Sequence, residues 1–273
     1  MKKAIKIISL MLAVLMCLFA FTACGEKKQE QKSIVVGYTI YAPMNYLDEN
    51  NKLVGFDTEL AEKVFGNLGY KVIFKEIQWD NKYTDLNGGT IDCIWNGFTC
   101  NTADKDGILR SEKVDFSYNY MENRQVVVVK NDSGIAAAAD LKGKIGTAES
   151  GSAGESYAKG FEGMVFKGVL KQTDGLMEVN AGTADFAVVD AQLAKSYCGK
   201  GDYTALTTVD ALASDVEFYA IGFKKGSALT EKVNEQLDKL GKDGTIKTLA
   251  EKYGVATTAI TDYSDQKATA DEK

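Results

Sequence analysis

The spacing of hydrophobic residues in the first half of the chain alternates between the period of a strand and that of a helix. Short apolar runs bounded by turn-forming residues predict strands. After Gly55 the spacing becomes helical, with Leu60 and Val64 on one face. Asp57 or Thr58 is expected to cap the start of this helix. Strands are predicted at 33–37, 71–77 and 91–95.

The second half of the chain continues the alternation. Consecutive valines within 125–130 predict a buried strand, and apolar residues at helical spacing over 229–240 predict a long amphipathic helix. Because strands and helices alternate, we expect an α/β fold rich in parallel strands, folded between about residues 33 and 261. Further strands are predicted at 144–147, 164–168, 185–189 and 217–223, and further helices near 173–181 and 191–198.

The composition narrows the possible functions. The 273 residues include 32 basic and 38 acidic side chains and no histidine. Without histidine the chain has neither a Ser-His-Asp or Cys-His catalytic pair nor an HExxH zinc site. A formal net charge of −6 argues against a protein that binds duplex DNA, which needs a basic face. We therefore expect no nucleic-acid partner.

The N-terminal residues are typical of a targeting segment. Lysines precede an apolar run at 7–21, which ends in small residues at 22–25. A transmembrane helix is the alternative, but the uncharged stretch is only marginally long enough to span a bilayer. Residues 21–24, Phe-Thr-Ala-Cys, resemble the lipobox of bacterial lipoproteins, which implies acylation of Cys24. We predict a signal peptide at 1–23, a lipid-anchored tether at 24–32 and a polar tail at 263–273.

Three cysteines remain after the predicted cleavage and acylation, namely Cys93, Cys100 and Cys198. An odd number outside the cytoplasm leaves at least one free or intermolecular thiol. A bridge between Cys93 and Cys100 is conceivable, but nothing in the sequence supports it. Buried positions for small hydrophobic side chains are favoured instead.

Seven short motifs occur in a set order along the predicted folded region. One is Gly-Phe-Asp-Thr-Glu-Leu-Ala at 55–61. The others are Tyr-Ala-Pro at 41–43, Gly-Thr-Ile-Asp at 89–92, Val-Asp-Phe-Ser at 114–117, Asp-Leu-Lys-Gly at 140–143, Ala-Asp-Phe-Ala-Val-Val-Asp at 184–190 and Asp-Gly-Thr at 243–245. In composition and order these motifs resemble the family 3 extracellular solute-binding proteins, the polar amino-acid receptors of ABC importers.

The resemblance implies an α/β, two-lobe periplasmic-binding-protein-like fold with two crossing hinge strands and a ligand cleft between the lobes. Lobe 1 is expected to be discontinuous, at 33–122 and 223–262, and lobe 2 to comprise 123–222. The resemblance also implies a lipid-anchored monomer that faces outside the cytoplasm. Such a protein captures a free amino acid and delivers it to an ABC transporter permease, without a cofactor, a metal or catalytic residues.

A receptor for a free α-amino acid needs opposite charges for the ligand carboxylate and ammonium. By its position before the Phe-Ser pair, Arg110 matches the family's carboxylate-binding arginine, although a solvated surface arginine is the alternative. Asp190 ends an apolar strand and by family position accepts the ammonium, but it can also cap the following helix. Ser152 and Ala153 can bind the carboxylate through hydroxyl and N–H groups, or form a plain turn.

Residues of lobe 1 complete the predicted site. Tyr41 and Trp79 match positions where the family usually has rings that flank the ligand side chain, although an isolated tryptophan is more often in a core. Asn96, Gly97 and Thr99 match a segment that hydrogen-bonds the ligand ammonium and carboxylate. Of these three, Thr99 is the favoured side-chain participant.

The chain departs from the family pattern just before Arg110. Residues 100–109 make the spacing from Thr99 longer than usual. The stretch Asp-Lys-Asp-Gly at 104–107 does not fit the ligand pattern of an EF-hand, so we predict no calcium site. Residues 38–40 hold no acid, whereas some relatives that bind basic amino acids carry one just before the first aromatic residue. The sequence therefore favours a polar, neutral amino acid as ligand.

Two other functions are compatible with the same fold. Cyclohexadienyl dehydratases are similar to these receptors, so an enzyme with Asp190 or Glu217 as general acid is one alternative. A sensory or surface lipoprotein that does not bind amino acids is the other. We predict a binding protein rather than an enzyme.

Overall fold

The computed structural model describes residues 31–271. The predicted signal peptide at 1–23, the predicted lipidation site Cys24 and most of the tether at 24–32 lie outside these residues. Within the part of the chain that is described, no helix is long and apolar enough to cross a membrane.

Strands and helices alternate over much of the described chain, as the hydrophobic pattern predicts, but in three places successive strands have no α-helix between them. The strands are β1 (Ser33–Tyr38), β2 (Tyr46–Leu47), β3 (Leu53–Val54), β4 (Lys71–Glu76), β5 (Cys93–Ile94), β6 (Asp115–Phe116), β7 (Met121–Asn123), β8 (Gln125–Lys130), β9 (Ile145–Glu149), β10 (Val165–Val169), β11 (Phe186–Asp190), β12 (Leu206–Val209), β13 (Glu217–Tyr219) and β14 (Gly222–Phe223). The α-helices are α1 (Phe56–Asn67), α2 (Lys82–Asn87), α3 (Arg110–Lys113), α4 (Ala153–Ala158), α5 (Gln172–Ala181), α6 (Ala191–Tyr197), α7 (Leu229–Lys242), α8 (Thr245–Lys252) and α9 (Ser264–Asp271).

The first sheet has the strand order β4-β1-β5-β14-β6. β1 lies parallel to β4 and β5, whereas β14 lies antiparallel to both β5 and β6. Helix α1 packs against β4, α7 and α8. The apolar face predicted for α1 is buried, including Phe56, Leu60 and Val64, and so are Val233 and Leu237 of α7. These residues form part of the main hydrophobic core.

The second sheet has the strand order β10-β9-β11-β8-β12. β9 lies parallel to β10 and β11, whereas β8 lies antiparallel to β11 and β12. The valines of β8 are buried on both faces, with Val127 and Val128 fully inaccessible. Burial on both faces explains why this strand is a continuous apolar run rather than an alternating one.

In both sheets the fourth strand in the strand order lies antiparallel to its two neighbours. That strand is β14 in the first sheet and β8 in the second. β7 leads into β8 and β13 leads into β14, and the two pair antiparallel with Glu217 opposite Asn123. Two strands therefore cross between two lobes. Since Gly222 pairs within the first sheet, the second crossing lies before the boundary predicted at 222/223.

Helix α1 begins without a side-chain cap. Its first flanking residue is Gly55, with a φ of 131°. A Cβ atom on Gly55 would lie 2.1 Å from the Met44 carbonyl oxygen, so this close approach of two backbone segments requires glycine. The prediction that Asp57 or Thr58 caps the helix is wrong, because both residues lie inside its first turn.

Residues 263–266, at the start of the predicted polar tail at 263–273, pack against the first lobe. Tyr263 is 1% exposed, and its ring stacks on that of Tyr118 at a centroid distance of 5.9 Å. Gln266 in α9 accepts a hydrogen bond from the Asn119 N–H and donates one to the Asn119 carbonyl. One buried ring and one amide side chain anchor the segment, which its polar composition did not indicate.

The three cysteines of the described chain are free thiols. Cys93 is buried in β5, and the thiol of Cys100 donates to the Asn119 side-chain oxygen at 3.1 Å. The bridge considered between Cys93 and Cys100 is not formed. Burial raises the pKa of all three thiols, including Cys198, which keeps them protonated and weakly reactive.

Candidate ligand-binding cleft

The carboxyl ends of parallel strands from both sheets converge on one cavity. In the first lobe Trp79 follows β4 and Asn96 follows β5. In the second lobe Glu149 ends β9, Gln172 follows β10 and Asp190 ends β11. Open α/β sheets bind ligands at this edge. The topology of both lobes therefore directs candidate ligand-binding residues to the same place.

Residues of both lobes line the cavity. All the residues predicted to bind ligand, except Tyr41, belong to its lining. Glu149 and Gln172 complete the lining, and neither was predicted from the sequence. The lining consists of Trp79, Asn96, Gly97, Thr99, Arg110, Glu149, Ser152, Ala153, Gln172 and Asp190.

Arg110 is the cationic side chain of the cavity lining, and it is held in place by three contacts. Its Nε donates to Asp104 Oδ1 at 2.8 Å, its Nη1 to the Thr99 carbonyl at 3.0 Å, and its Nη2 to the Gly151 carbonyl at 3.3 Å. A guanidinium carries five N–H donors, so these contacts leave donors for a ligand. The alternative of a solvated surface arginine is wrong, because Arg110 is 1% exposed.

The unusual segment 100–109 supplies the carboxylate that orients Arg110. Asp104 lies in a turn closed by a hydrogen bond from its N–H to the Ile108 carbonyl. Its carboxylate also accepts a bond from Lys113 Nζ at 2.9 Å. Burial opposes ionisation of Asp104, but Arg110 and Lys82 hold its pKa below the usual range. The segment therefore contributes to the site through Asp104, which sequence analysis did not identify.

Asp190 accepts hydrogen bonds from three amide side chains. Its Oδ1 accepts from Asn123 Nδ2 at 2.7 Å and from Gln125 Nε2 at 2.5 Å, and its Oδ2 accepts from Gln172 Nε2 at 2.5 Å. The capping alternative is wrong, because the side chain makes no cap bond to α6. Burial raises the pKa of Asp190, although the amide bonds oppose this effect.

Glu217 shares two of these amides with Asp190. Asn123 Nδ2 and Gln125 Nε2 each donate to Glu217 Oε1 at 2.6 Å. The two carboxyl groups are therefore held together where β7 and β13 cross between the lobes. Burial raises the pKa of Glu217, and the charge of Asp190 raises it further. This network connects the cavity directly to the crossing strands.

Polar contacts inside the first lobe fix the segment 96–99. Asn96 Nδ2 donates to the Thr39 carbonyl at 2.9 Å and to Asn45 Oδ1 at 2.7 Å, so both of its amide hydrogens are used. The Gly97 N–H donates to Asp57 Oδ2 at 2.9 Å. The Asn96 side chain therefore holds the segment in place, and its amide hydrogens are not available to a ligand.

The two aromatic residues predicted to flank the ligand occupy different positions. Trp79 lines the cavity and packs edge-on against Phe98 at a centroid distance of 5.4 Å. Tyr41 lies behind the lining, with its hydroxyl 2.7 Å from that of Tyr219 and its ring against Gly97. Tyr41 therefore supports the cavity wall, and the prediction that it flanks the ligand does not fit its position.

The turn at Gly151 joins the two lobes across the cleft. Ser152 Oγ accepts from the Glu155 N–H at 3.0 Å and so caps α4, while Ala153 lines the cavity beside it. The Gly151 carbonyl accepts a bond from Lys82 Nζ at 2.9 Å as well as the bond from Arg110. Both cations come from the first lobe and reach one carbonyl of the second.

Lys82 is a buried lysine that sequence analysis did not separate from the surface lysines. It is 1% exposed, and its Nζ lies 4.6 Å from the ring centroid of Tyr83 and 5.2 Å from that of Trp79. Burial lowers the pKa of Lys82 to about 7, and the nearby charge of Arg110 lowers it as well. Its position beneath two rings could not be read from local spacing.

The two unpredicted lining residues follow strand ends in the second lobe. Gln172 Oε1 accepts from the Asp190 N–H at 2.8 Å while its Nε2 donates to the Asp190 carboxylate. Glu149 is the last residue of β9 and is 3% exposed. The strand predicted at 144–147 stops short of Glu149, so the strand-end rule did not point to it.

Two lobes, two crossing strands and an enclosed cleft with an arginine and an aspartate define a solute-binding protein of the two-lobe class. The model of the bacterial extracellular solute-binding proteins, family 3, matches residues 34–256, and the chain belongs to this family. The family and the two-lobe fold expected from the motifs are confirmed. Members of this family act outside the cytoplasm, which agrees with the expected location.

Known relatives of the chain bind different amino acids. The arginine-binding extracellular protein ArtP of Bacillus subtilis is 30% identical over 89% of this chain and 96% of its own length. The L-cystine-binding protein TcyA of the same organism is 30% identical over 78% of this chain and 77% of its own. A solved structure of an ancestral arginine-binding protein bound to arginine is 34% identical, with a TM-score of 0.73 over 81% of this chain and 97% of that one.

Proposed function

We propose that this protein captures a free amino acid in the cleft and delivers it to the permease of an ABC importer. The proposal rests on one observation: two buried side chains of opposite charge line the same cavity. Arg110 is 1% exposed and Asp190 is 6% exposed, and they come from different lobes. A free amino acid presents a carboxylate and an ammonium that match this pair.

The charges of the cleft favour a ligand that brings both signs. Arg110 can donate its remaining N–H groups to a carboxylate as a planar fork. Asp190 is buried, so its ionised form is costly unless a cation offsets the lost hydration. An α-ammonium beside the carboxylate supplies that cation. The amides of Gln125 and Gln172 hold the Asp190 carboxylate in a defined orientation for it.

The same relatives support binding rather than catalysis. We propose lipid anchoring through Cys24, which keeps the receptor at the membrane and raises its effective concentration near the permease. A monomer is sufficient, because one chain provides both lobes. The enzyme and the surface-lipoprotein alternatives gain no support, since both Bacillus subtilis relatives bind amino acids.

The preference for a polar, neutral ligand is not supported by these relatives. The arginine-binding relatives bind a cationic amino acid and TcyA binds cystine. The preference was based on residues 38–40 alone, on the first-lobe side of the cleft. Residues of the second lobe can therefore determine which ligand side chain is preferred.

A thermal-shift panel tests the proposal. The purified protein is heated with each of the twenty amino acids, cystine and ornithine. A ligand at about 100 times its Kd should raise the melting temperature by about 5 °C or more. We expect a response to one or a few compounds. If none of them raises the melting temperature, the proposed function is wrong.

The variant Arg110→Ala tests the assignment of the carboxylate site. Loss of a fork of charge-assisted hydrogen bonds should weaken binding about 100-fold or more. The only other arginine, Arg124, is exposed, and Arg124→Ala is the matched control that should bind normally. Circular dichroism checks that both variants are folded. Normal binding by folded Arg110→Ala would show that another residue receives the carboxylate.

A further inference from the structure

Glu149 is a buried acidic side chain that the proposed binding of the α-carboxylate and α-ammonium does not use. It lines the cavity and is 3% exposed. Its Oε1 atom is inaccessible and has no hydrogen-bond partner within the described part of the chain. An unpaired carboxylate in such a place is costly, because burial removes its hydration and nothing replaces it.

The charged groups around Glu149 do not neutralise it. Those that face it are Asp190, Lys82, Asp174 and Lys171. Of the two lysines, Lys82 has the larger electrostatic effect on Glu149. Its Nζ, however, is hydrogen-bonded to the Gly151 carbonyl. Lys171 is bonded to an exposed glutamate at the rim of the cleft. Among the described residues, neither cation forms an ion pair with Glu149.

The cavity lining therefore holds one more acidic side chain than its arginine and an amino-acid zwitterion can pair with. Arg110 matches the ligand carboxylate, and Asp190 matches the ligand ammonium. When the ligand side chain is neutral, Glu149 has no counter-charge and stays protonated. A ligand whose side chain ends in a cation supplies the missing charge and a hydrogen-bond donor to the unpaired oxygen.

We propose that Glu149 selects an amino acid with a cationic side chain, an ammonium or a guanidinium, by pairing with that group inside the closed cleft. This inference rests on the proposed function, because it assumes that an amino acid occupies the cavity. It replaces the preference for a neutral ligand that residues 38–40 suggested. The acidic residue that binds the ligand side chain then lies in the second lobe rather than in the segment before Tyr41.

The state of Glu149 in the empty cleft agrees with this role. Burial raises its pKa to about 8, and the charge of Asp190 raises it while that of Lys82 lowers it. The group is therefore mostly protonated at neutral pH when no cation is present. A cationic side chain beside it favours the ionised form, so binding is accompanied by release of the proton.

Two ligand pairs of matched shape test the inference. Citrulline replaces the guanidinium of arginine by a neutral urea, and norleucine replaces the ammonium of lysine by a methyl group. Calorimetry on the purified protein gives Kd for all four compounds. We expect the cationic member of at least one pair to bind about 10- to 100-fold more tightly than its neutral partner.

The variant Glu149→Gln assigns that preference to one side chain. It should weaken binding of the cationic ligand about 10- to 100-fold and leave binding of its neutral partner within about threefold. Glu162→Gln removes the same charge from an exposed position of the second lobe and should change neither value. Because glutamine has nearly the same shape as glutamate, the variant should fold, and its ligand-free melting curve checks this.

The outcomes separate the inference from the proposed function. If neutral members bind as tightly as cationic ones, or if Glu149→Gln leaves the ratio unchanged, the role of Glu149 is wrong. The same holds if none of the four binds while another amino acid stabilises the protein, in which case the proposed function stands. If no amino acid binds, both proposals are wrong.

Discussion

At the scale of single residues, buried acidic groups hold protons that the unfolded chain does not. Burial raises the pKa of Asp57 to about 7 and that of Glu149 to about 8. Unfolding restores ordinary carboxyl pKa values, so the folded protein binds more protons between about pH 5 and pH 7. The free energy of unfolding of the empty protein should therefore fall as the pH rises through this window. Lys82, with its pKa lowered to about 7, opposes the fall only above that pH.

The variant Asp57→Asn tests this pH dependence. Asparagine keeps an oxygen that can accept the bonds from the Gly97 N–H and the Tyr120 hydroxyl, but it does not titrate. The decrease in unfolding free energy between pH 5 and pH 7 should become smaller by about 1 kcal/mol per pH unit. Urea denaturation at several pH values measures the slope. Glu162→Gln, at an exposed position, should leave the slope unchanged; an equal effect there would contradict the account.

Arg110 and Asp190 could be located from the sequence because Arg110 precedes the Phe-Ser pair and Asp190 ends the motif at 184–190. Their partners could not be located in this way. Asp104 and Lys82 reach the site only through the folding of a turn and the packing of two rings, which local spacing does not encode. Residues at the carboxyl ends of parallel strands are candidates for ligand binding, and Glu149 ends β9. It was missed because the predicted strand was shorter than β9. Residue roles that depend on tertiary contacts were therefore the ones missed.

At the scale of elements, the loop after β5 is fixed from two sides. Gly97 has a φ of 57°, in the left-handed region that favours glycine. Its N–H is held by Asp57 from the first turn of α1, and the rings of Tyr41 and Tyr219 pack against it. The motif at 55–61 therefore does more than form a helix. It also positions a wall of the cleft.

The variant Gly97→Ala tests the packing of this loop. A Cβ atom there would lie 2.6 Å from Tyr41 Cε1, in addition to the strain of a positive φ. Gly69→Ala is a matched control, because Gly69 has a φ of 82° and open space around it. Chemical denaturation should show a loss of about 1 kcal/mol for Gly69→Ala and about 1–3 kcal/mol more for Gly97→Ala. Equal losses for the two variants would mean that the rings of Tyr41 and Tyr219 can move aside without loss of stability.

Element boundaries also explain which parts of the fold were predictable. Long amphipathic segments such as α1 and α7 were recognised, since each buries one continuous face. The helix α9 was not, because its neighbour Tyr263 makes the anchoring contact and the helix itself has a polar sequence. The start of α1 was misassigned because Asp57 has the chemistry of a cap but uses it elsewhere. Periodicity predicts elements well where burial is continuous and poorly where single side chains anchor them.

At the scale of the whole molecule, the two lobes contact each other directly as well as lining the cavity. Lys82 bonds to the Gly151 carbonyl across the cleft, although Lys82 does not line the cavity. At the rim Lys171 pairs with Glu76 of the first lobe at 2.6 Å. The first contact is buried and the second is exposed. Buried charge-assisted bonds contribute much more to a closed form than exposed ion pairs do.

The variant Lys82→Met tests the contribution of the buried contact. Loss of one bond that favours the closed form should raise Kd for the amino acid about 10-fold, although no ligand contact is removed. Calorimetry measures the change. Lys171→Met removes the exposed pair and should change Kd less than threefold. If the two variants weaken binding equally, burial of the Lys82 contact is not what stabilises closure.

The placement of β14 between β5 and β6 also constrains the order in which the protein can form during synthesis. β6 pairs only with β14 within the first sheet, and β14 ends at Phe223. The second sheet, by contrast, consists entirely of residues between 125 and 209. A chain that emerges with its N-terminus first can therefore complete the second lobe while the first lobe still has an unfinished edge. The first lobe to be translated is the last to be completed.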